Sequence, residues 1–227
     1  MKSIIAGKGQ IGTALGKILE QYKPEFTDPA FGLHAQSVHC DILHITFPYT
    51  PEFIEQVEEY KSLYTPKYIV IHSTVPVGTS RALEAVHSPV IGIHPFLESG
   101  IRTFKKMLGG EQASEVADYF KSAGLRVILF DDQETTELLK ILDTSFYGIC
   151  IEFTKDVKRL CEENEVPFEA WSVYTNNYNE GYQKLGYPEY TRPNLQPIMK
   201  KIGGHCILPN ADMLETKFTK ILKELNK

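Results

Sequence analysis

The sequence has few of the features that mark secreted, membrane-spanning or nucleic-acid-binding proteins. Its 227 residues include four cysteines, widely spread, with no C-x-x-C pair and no metal-ligand spacing. No apolar run approaches the ~20 residues that a membrane-spanning helix needs, and no signal-peptide pattern precedes the first predicted strand. Acidic residues (29) outnumber Lys and Arg (24), so no basic face argues for nucleic acid or acidic membranes. These absences predict a soluble cytoplasmic protein with reduced thiols and no bound metal.

A glycine-rich turn follows the first apolar run, residues 4–6, which reads as a buried strand. The glycines have the spacing G-x-G-x-x-G, and apolar residues at helical spacing come next, which is the strand–turn–helix context that this motif requires. Gly7 permits the tight turn, Gly9 lets the backbone approach a pyrophosphate, and Gly12 lets the helix pack closely. Free N–H groups at the helix start form an anion site. The alternative is a glycine-rich turn without a ligand. The residues predicted to bind a dinucleotide here are Gly7, Gly9, Gln10, Ile11 and Gly12.

Asp28 ends a short second predicted strand and lies 21 residues after Gly7. Dinucleotide-binding folds place a carboxylate near this position, on the ribose 2′-hydroxyl. No Lys or Arg follows closely, and a 2′-phosphate would meet negative charge, so the sequence favours NAD over NADP. The alternative is that Asp28 merely starts the turn at Pro29.

The first 131 residues alternate predicted strands and helices, which is typical of a Rossmann-type, doubly wound parallel sheet. The later predicted strands are residues 41–47, 68–72, 90–94 and 126–130, and the helices between them are residues 53–64, 80–86 and 116–123. Ligands bind such sheets at the carboxyl ends of the strands. We therefore expect the glycine turn to share one crevice with the loops that follow these strands. The loop residues predicted to contact the cofactor are Phe47, Pro48, Ser73 and Thr74.

Four stretches of the chain resemble, in the same order, motifs of the UDP-glucose/GDP-mannose (nucleotide-sugar) dehydrogenase family of the 6-phosphogluconate-dehydrogenase-like superfamily. Residues 73–79 (STVPVGT) resemble its STVPVGT loop, and residues 94–100 (HPFLESG) are similar to its N-P-E-F-L-x-E-G loop, one residue shorter. Residues 137–140 (ELLK) resemble its E-x-x-K, and residues 203–207 (GGHCI) match its UDP-N-acetylmannosamine-type members. The resemblance covers nearly the whole sequence, and it implies that the family's C-terminal nucleotide-binding domain is lacking.

The resemblance also implies an oxidoreductase that uses NAD on an alcohol. In that scheme Thr74 orients the reacting hydroxyl and Lys140 hydrogen-bonds its oxygen. Cys206 attacks the aldehyde intermediate, and a second NAD oxidises the adduct to a thioester. A thiolate needs a neighbouring base or cation, for which His205 or Lys140 is available. From the residues alone, Lys140 lies in an apolar stripe, where an ammonium either reaches solvent or sits in a cleft.

Three positions depart from the family pattern and put the full four-electron oxidation in doubt. Thr144 replaces the asparagine that assists the lysine, and Asn210 replaces a carboxylate. Phe96 replaces the glutamate implicated in hydrolysing the thioester, and Glu98 is the substitute at hand. His94 offers a different route, because a His-Pro at this strand end also resembles prephenate-dehydrogenase-like folds, in which the histidine accepts the hydroxyl proton.

The second half, residues 132–227, is predicted to be a mainly helical dimerisation and substrate domain. Residues 134–165 carry a wide apolar stripe on one long helix or two in tandem. By analogy with the family, this helix packs against its counterpart in a homodimer. Residues 168–190 are rich in aromatics, for which core packing is favoured over a substrate wall. The predicted substrate contacts are Tyr178, Arg192 and Asn210, although Arg192 is equally read as a surface residue.

The leading hypothesis is an NAD-dependent oxidoreductase acting on an alcohol of a sugar or sugar-nucleotide-like small molecule, in some versions through to the acid. One alternative is an epimerase or isomerase that recycles its NAD within each turnover. Another is a degenerate, non-catalytic subunit that binds NAD and regulates a partner, an idea motivated by Thr144, Asn210 and the lacking domain.

Overall fold

The computed structural model describes residues 1–204 and 206–226, which form two compact units. The first is Met1–Ile141 and the second begins at Leu142. The chain between these units is continuous, because Ile141 and Leu142 both belong to one 31-residue helix. The predicted functional division, into an NAD-binding domain at residues 1–131 and a dimerisation and substrate domain at residues 132–227, stays a prediction. His205 lies outside the described residues.

The first unit is built on a seven-stranded sheet with the strand order β2-β1-β3-β4-β5-β6-β7. The strands are β1 Ser3–Ala6, β2 Glu25–Thr27, β3 Ile42–Ile45, β4 Tyr68–Ile71, β5 Val86–His87, β6 Lys106–Gly109 and β7 Val127–Phe130. The α-helices of the described residues are α1 Gln10–Ile18, α2 Phe53–Tyr64, α3 Thr79–Ala82, α4 Leu97–Thr103, α5 Ala113–Ser122, α6 Gln133–Glu163, α7 Phe168–Lys184, α8 Ile207–Asp212 and α9 Lys217–Leu225. The predicted α/β, doubly wound fold is confirmed.

Both faces of the sheet are covered, so its central strands are buried along their whole length. In β1, Ile5 belongs to an apolar cluster with Leu15 of α1 and Phe120 of α5. Its neighbour Ile4 belongs to a second cluster, with Phe53 of α2. Successive side chains of a strand point to opposite faces, which is why the short apolar run serves both cores. Each such side chain contributes about 1.5–3 kcal/mol through its burial.

The sheet differs from the sequence prediction at its fifth and sixth strands. The predicted strand at residues 90–94 is wrong, because β5 is Val86–His87 and β6 is Lys106–Gly109. β6 also runs antiparallel to β5, so the sheet is mostly but not wholly parallel. Strand β6 begins with a lysine whose side chain is buried, and that residue hides the strand from an apolar-pattern search. Residues 90–94 contain an apolar run, yet Ile93 is 68% exposed.

The second unit packs α8 and α9 against the middle of α6. A Cβ at Gly148 of α6 would lie 2.6 Å from Ile207 and 2.8 Å from Leu222, so a glycine is required for this close approach. Ile202 and Ala211 join Leu222 in a small core. The predicted long helix is confirmed as one continuous element. This core is much smaller than that of the first unit.

No helix of the described residues is long and apolar enough to cross a membrane. The four cysteines are unpaired thiols: Cys40 is buried, Cys150 and Cys161 are half-buried, and Cys206 is exposed. The cytoplasmic location inferred from the composition stays a prediction.

Candidate functional site

The glycine turn between β1 and α1 has two glycines that the chain itself requires. Gly7 has a φ of +101°, a conformation that favours glycine. A Cβ at Gly12 would lie 1.9 Å from the carbonyl oxygen of Gly7, so a side chain there would push the helix off the strand. Thr46 Oγ1 lies 2.8 Å from the carbonyl oxygens of both Ala6 and Gly7, which fixes the turn to the end of β3.

Gly9 is different, because its surroundings are open. A Cβ built there would have no atom of the chain within 4 Å. Gly9 is the N-cap of α1 and offers no side-chain cap, so the amides of the first helical turn face this open space. Uncapped amides beside an open glycine suit the close approach of an anionic group such as a pyrophosphate. The residues at this turn therefore fit a dinucleotide.

Asp28 lies beside the glycine turn and has two backbone partners. Its carboxylate accepts hydrogen bonds from the N–H of Lys8 at 2.7 Å and from the N–H of Ala30 at 3.0 Å. The second bond caps the short 3-10 helix Pro29–Phe31. The turn-starting interpretation therefore describes part of what Asp28 does. The first bond holds Asp28 against the glycine turn, and its predicted ribose contact stays a prediction.

The loops after β3 and β4 lie side by side with the glycine turn. Ser73 Oγ donates to the carbonyl oxygen of Phe47 at 2.5 Å. A Cβ at Gly7 would lie 3.1 Å from the backbone nitrogen of Phe47, which places that residue directly against the turn. Pro48 follows Phe47 and is exposed, and Thr74 follows Ser73 and is half-buried. The three loops are therefore adjacent, and the predicted crevice between them stays a prediction.

His87 connects the loop after β4 to the start of α6. Its Nε2 lies 3.2 Å from the carbonyl oxygen of Ser73, and its Nδ1 lies 2.8 Å from Oγ1 of Thr136. Burial lowers the pKa of His87 to about 3, so the ring is neutral at physiological pH. A neutral ring facing a carbonyl must place its proton on Nε2, and Thr136 then donates to Nδ1.

Glu137 makes the second connection between that loop and α6. Its carboxylate, which is fully buried, accepts the N–H of Gly78 at 2.6 Å and the N–H of Ser80 at 2.8 Å. Burial raises the pKa of this carboxyl, although these hydrogen bonds oppose the shift. Sequence reasoning identified Glu137 only as part of a motif, and its anchoring role was missed. The available signal was an acidic residue in the second turn of a helix, among apolar residues of the sequence.

Lys140 lies on α6, three residues after Glu137, and is half-buried. The pKa of His87, lowered mainly by burial, is lowered further by the positive charge of Lys140. Lys140 therefore lies within electrostatic range of the ring that holds the Ser73 carbonyl. Whether Lys140 also reaches the glycine turn, as the predicted mechanism requires, stays a prediction. Its role with a substrate stays a prediction.

His94 and Glu98 have surface positions. His94 is exposed, and the Glu98 carboxylate lies 3.8 Å from the Lys17 ammonium of α1 and 3.2 Å from the Arg102 guanidinium. These exposed ion pairs contribute little to stability and leave the carboxylate accessible to solvent. The predicted catalytic roles of both residues stay predictions.

In the second unit, two of the departures from the family pattern contact each other. Asn210 Nδ2 donates to Oγ1 of Thr144 at 3.2 Å, and both side chains are buried. Cys206 is the N-cap of α8, one turn before Asn210, and is exposed. Asn210, which stands where the family has a carboxylate, is thus hydrogen-bonded to Thr144, which stands where the family has an asparagine. The predicted roles of Cys206, Thr144 and Asn210 are untested by this contact.

Arg192 and Tyr178 form a stacked pair in the second unit. The guanidinium lies 3.8 Å from the centroid of the Tyr178 ring, and Nη1 donates to the carbonyl oxygen of Tyr190. Asn179 bonds both the N–H and the carbonyl oxygen of Arg192 at 2.8 Å. Asn179 therefore fixes the returning segment to α7. Substrate contacts by Tyr178 and Arg192 stay predictions.

A cluster that sequence reasoning missed lies inside the first unit. His44, His72 and Lys106 are buried and hydrogen-bonded to one another. The signal was present, because His44 lies within a predicted buried strand and His72 ends another. In residues 1–204 and 206–226, no group of three or more His, Cys, Asp or Glu side chains has the arrangement of a metal site.

We expect Glu137→Ala to destabilise the protein by about 2–4 kcal/mol, because it leaves two amides unsatisfied. The matched control is Glu134→Ala, one turn earlier on the same helix, which removes an exposed ion pair with Arg81 and should cost less than about 1 kcal/mol. Urea unfolding followed by circular dichroism measures both. Equal losses for the two variants would contradict the anchoring role.

Comparison with known proteins finds one curated protein of similar sequence and several solved structures of similar fold. No family model matches the sequence. An uncharacterised protein from Methanocaldococcus jannaschii is 28% identical over 129 residues, which cover 48% of this chain and 14% of that protein. The chain thus spans a small part of the length of this curated relative.

Solved structures of similar fold are dehydrogenases. A UDP-D-ManNAc dehydrogenase from Pyrococcus horikoshii covers 100% of this chain and 68% of its own, with a TM-score of 0.75 and 14% identity. A UDP-glucose dehydrogenase from Pyrobaculum islandicum covers the same shares, with a TM-score of 0.69 and 16% identity. A 3-hydroxyisobutyrate dehydrogenase from Mycobacterium tuberculosis covers 99% of this chain and 92% of its own, with a TM-score of 0.71 and 13% identity. The resemblance to UDP-sugar dehydrogenases is confirmed at the level of the fold.

Proposed function

We propose that the chain is an NAD-dependent oxidoreductase that oxidises an alcohol of a sugar or sugar-nucleotide-like substrate. The observation that carries the proposal is the open glycine turn at Gly9, flanked by Asp28 on one side and by the Phe47 and Ser73 loops on the other. This arrangement offers backbone amides to a diphosphate and a carboxylate to a ribose. The fold neighbours that are named as UDP-sugar dehydrogenases support the substrate class.

In this proposal a bound nicotinamide supplies the hydride acceptor, and the residues of the chain do the rest. Thr74, next to the anchored Ser73, orients the substrate hydroxyl. Lys140 hydrogen-bonds the same oxygen and assists the loss of its proton as the carbon gives up its hydride. The clamp made by His87 and Glu137 fixes both groups, because it joins the Ser73 loop to the helix that carries Lys140.

The chemistry beyond the aldehyde is a separate part of the proposal. Cys206 carries the acyl group if oxidation continues to the acid. The hydrogen bond from Asn210 to Thr144 favours the shorter, two-electron version, because a buried amide cannot act as a base beside the thiol. A neighbour named for 3-hydroxyisobutyrate makes small hydroxy acids a second substrate class to test.

The coenzyme proposal predicts that NADH binds at least about tenfold more tightly than NADPH, because Asp28 repels a 2′-phosphate; a tenfold ratio is about 1.4 kcal/mol. Gly9→Ala should weaken NADH binding by a similar factor. It should cost no more than about 1 kcal/mol of stability, because alanine is a poorer N-cap but its Cβ meets no protein atom. Fluorescence titration measures the affinities. Gly12→Ala is the contrasting variant, expected to lose about 1–3 kcal/mol of stability. An unchanged NADH affinity in Gly9→Ala would contradict the proposal that the diphosphate binds at the glycine turn.

The reaction proposal predicts NADH formation from NAD with a panel of sugar nucleotides, free sugars and hydroxy acids, measured by absorbance. We expect one NADH per substrate for alcohol oxidation, and two only if Cys206 carries an acyl group. Lys140→Met should reduce the rate by about 10²–10⁴. Cys206→Ser should change the stoichiometry only in the four-electron case.

Three other outcomes of that assay would replace the proposal. Isomerised product without net NADH would indicate an epimerase. Tight NAD binding that Lys140→Met and Cys206→Ser leave unchanged, with no turnover, would indicate a regulatory subunit. Failure of every alcohol in the panel to yield NADH would count against the oxidoreductase.

We also propose that the chain forms a homodimer through α6. Phe146, Phe153 and Leu160 are spaced by seven residues and are 60%, 57% and 45% exposed, a stripe too apolar for a solvated helix face. The fold neighbours do not test this partner.

The dimer proposal predicts that sedimentation velocity gives a dimer for the wild type and a monomer for Phe146→Lys, because a charge in the stripe cannot be buried without a partner. Leu185→Lys is the matched control, since Leu185 is 68% exposed just after α7 and lies outside the stripe. A wild type that sediments as a monomer at high micromolar concentration would refute the interface.

A further inference from the structure

Five polar side chains form a line through the apolar interior of the first unit. They come from β6, the residue after β4, β3, α5 and β1, and each is at most 4% exposed. In order along the line they are Lys106, His72, His44, Tyr119 and Ser3. Polar groups at such depth must satisfy one another, because water does not reach them.

The distances make the line a continuous hydrogen-bond chain. Lys106 Nζ lies 3.1 Å from His72 Nδ1, and His72 Nε2 lies 3.0 Å from His44 Nδ1. His44 Nε2 lies 3.3 Å from Tyr119 Oη, which lies 3.0 Å from Ser3 Oγ. A neutral imidazole has one N–H and one lone pair. A ring that accepts a hydrogen bond at one nitrogen therefore donates from the other. All the hydrogen bonds along the line then point in the same direction, either toward Ser3 or toward Lys106.

Lys106 sets that direction at one end. Its Nζ has three acceptors in reach: the carbonyl oxygens of Ser88 at 2.9 Å and Pro89 at 3.5 Å, and Nδ1 of His72. An ammonium donates to all three, so His72 must carry its proton on Nε2 and donate toward His44. A neutral amine has two N–H groups for the two carbonyls and one lone pair, which accepts from His72 Nδ1–H. That N–H also lies 3.0 Å from the carbonyl oxygen of Ser88.

In the described part of the chain, the side chains that face Lys106 include no carboxylate that could pair with its positive charge. They are the rings of His44 in β3, His87 in β5 and His72 just after β4. The aromatic ring of Phe120 in α5 also faces Lys106, with its centroid 5.8 Å from Nζ. No ion pair of the described residues includes Lys106. Burial accordingly lowers the pKa of Lys106 to about 7 and that of His44 to about 3. The rings stay neutral while the lysine titrates.

We propose that this line of hydrogen-bonded side chains is a proton switch in the core, in which the protonation of Lys106 sets the tautomers of His72 and His44. When the ammonium becomes an amine, one proton leaves to solvent and every hydrogen bond from His72 to Ser3 reverses. No bond between heavy atoms forms or breaks. The inference is independent of the proposed dehydrogenase function, since it involves neither coenzyme nor substrate.

The switch gives the fold a pH dependence whose sign is fixed. The pKa of Lys106 is about 7 in the folded chain and 10.5 ordinarily, so between these values the unfolded chain binds one proton more. Stability therefore rises with pH in that window. The buried histidines contribute only below their ordinary pKa of 6.5, and Cys40 only above its ordinary 9.0, because burial raises the pKa of that thiol to about 11. The range from about pH 7 to pH 9 isolates Lys106.

Denaturant unfolding at about pH 7, 8 and 9 tests the proposal. The unfolding equilibrium constant of the wild type should fall about 50-fold across this range. Lys106→Met should remove that dependence, and Lys105→Met, which changes the exposed neighbour, should keep it. A wild-type constant that stays the same across the range would overturn the proposal.

Nitrogen-15 NMR of histidine-labelled wild type gives a test that does not depend on the variant folding. The ring nitrogens of His72 and His44 should exchange donor and acceptor roles together, with a midpoint near pH 7, the pKa of Lys106. The exposed His34 serves as the reference ring in the same spectrum. Tautomers that stay fixed from about pH 6 to pH 9 would overturn the switch, even if stability changes with pH.

Discussion

A single series of hydrogen bonds along the carboxyl edge of the sheet holds the candidate site together. Thr46 ties the glycine turn to β3, Ser73 ties the next two loops together, and His87 ties Ser73 to Thr136 at the start of α6. Most of these bonds involve a backbone carbonyl that would otherwise be buried without a partner. Because each link depends on its neighbour, the loop carrying Thr74 and the helix carrying Lys140 are positioned as one assembly.

The first unit combines this polar edge with a second polar feature in its core. A sheet that is covered on both faces normally contains apolar residues throughout. Here β3, β6 and the residue that follows β4 place His44, Lys106 and His72 in the interior, and their hydrogen bonds offset the cost of burying them. The edge network joins the loops of the candidate site, whereas the core network joins five buried side chains in one line. The first unit therefore has two separate networks of buried polar side chains.

The second unit departs at two polar positions from the motifs of the dehydrogenase family that the sequence resembles. Thr144 and Asn210 replace an amide and a carboxylate, and they satisfy each other as a buried pair. The glycine at position 148 allows α8, which begins just after Cys206, to approach α6 closely. The packing of the element is retained while two of its polar groups have changed. Four residues after Cys206, the chain therefore has a buried amide where the resembling family has a carboxylate.

The sequence by itself determined the fold class and the glycine turn, because alternating strands and helices and the G-x-G-x-x-G spacing are local patterns. It also predicted site roles for Asp28, Ser73 and Lys140 from short motifs, and those roles stay predictions. It did not locate β6 or the anchoring roles of His87 and Glu137. Those depend on which distant carbonyls and amides meet each side chain, and a buried lysine or histidine carries no periodic signal. Only tertiary packing decided that the polar residues of five separate elements would satisfy one another.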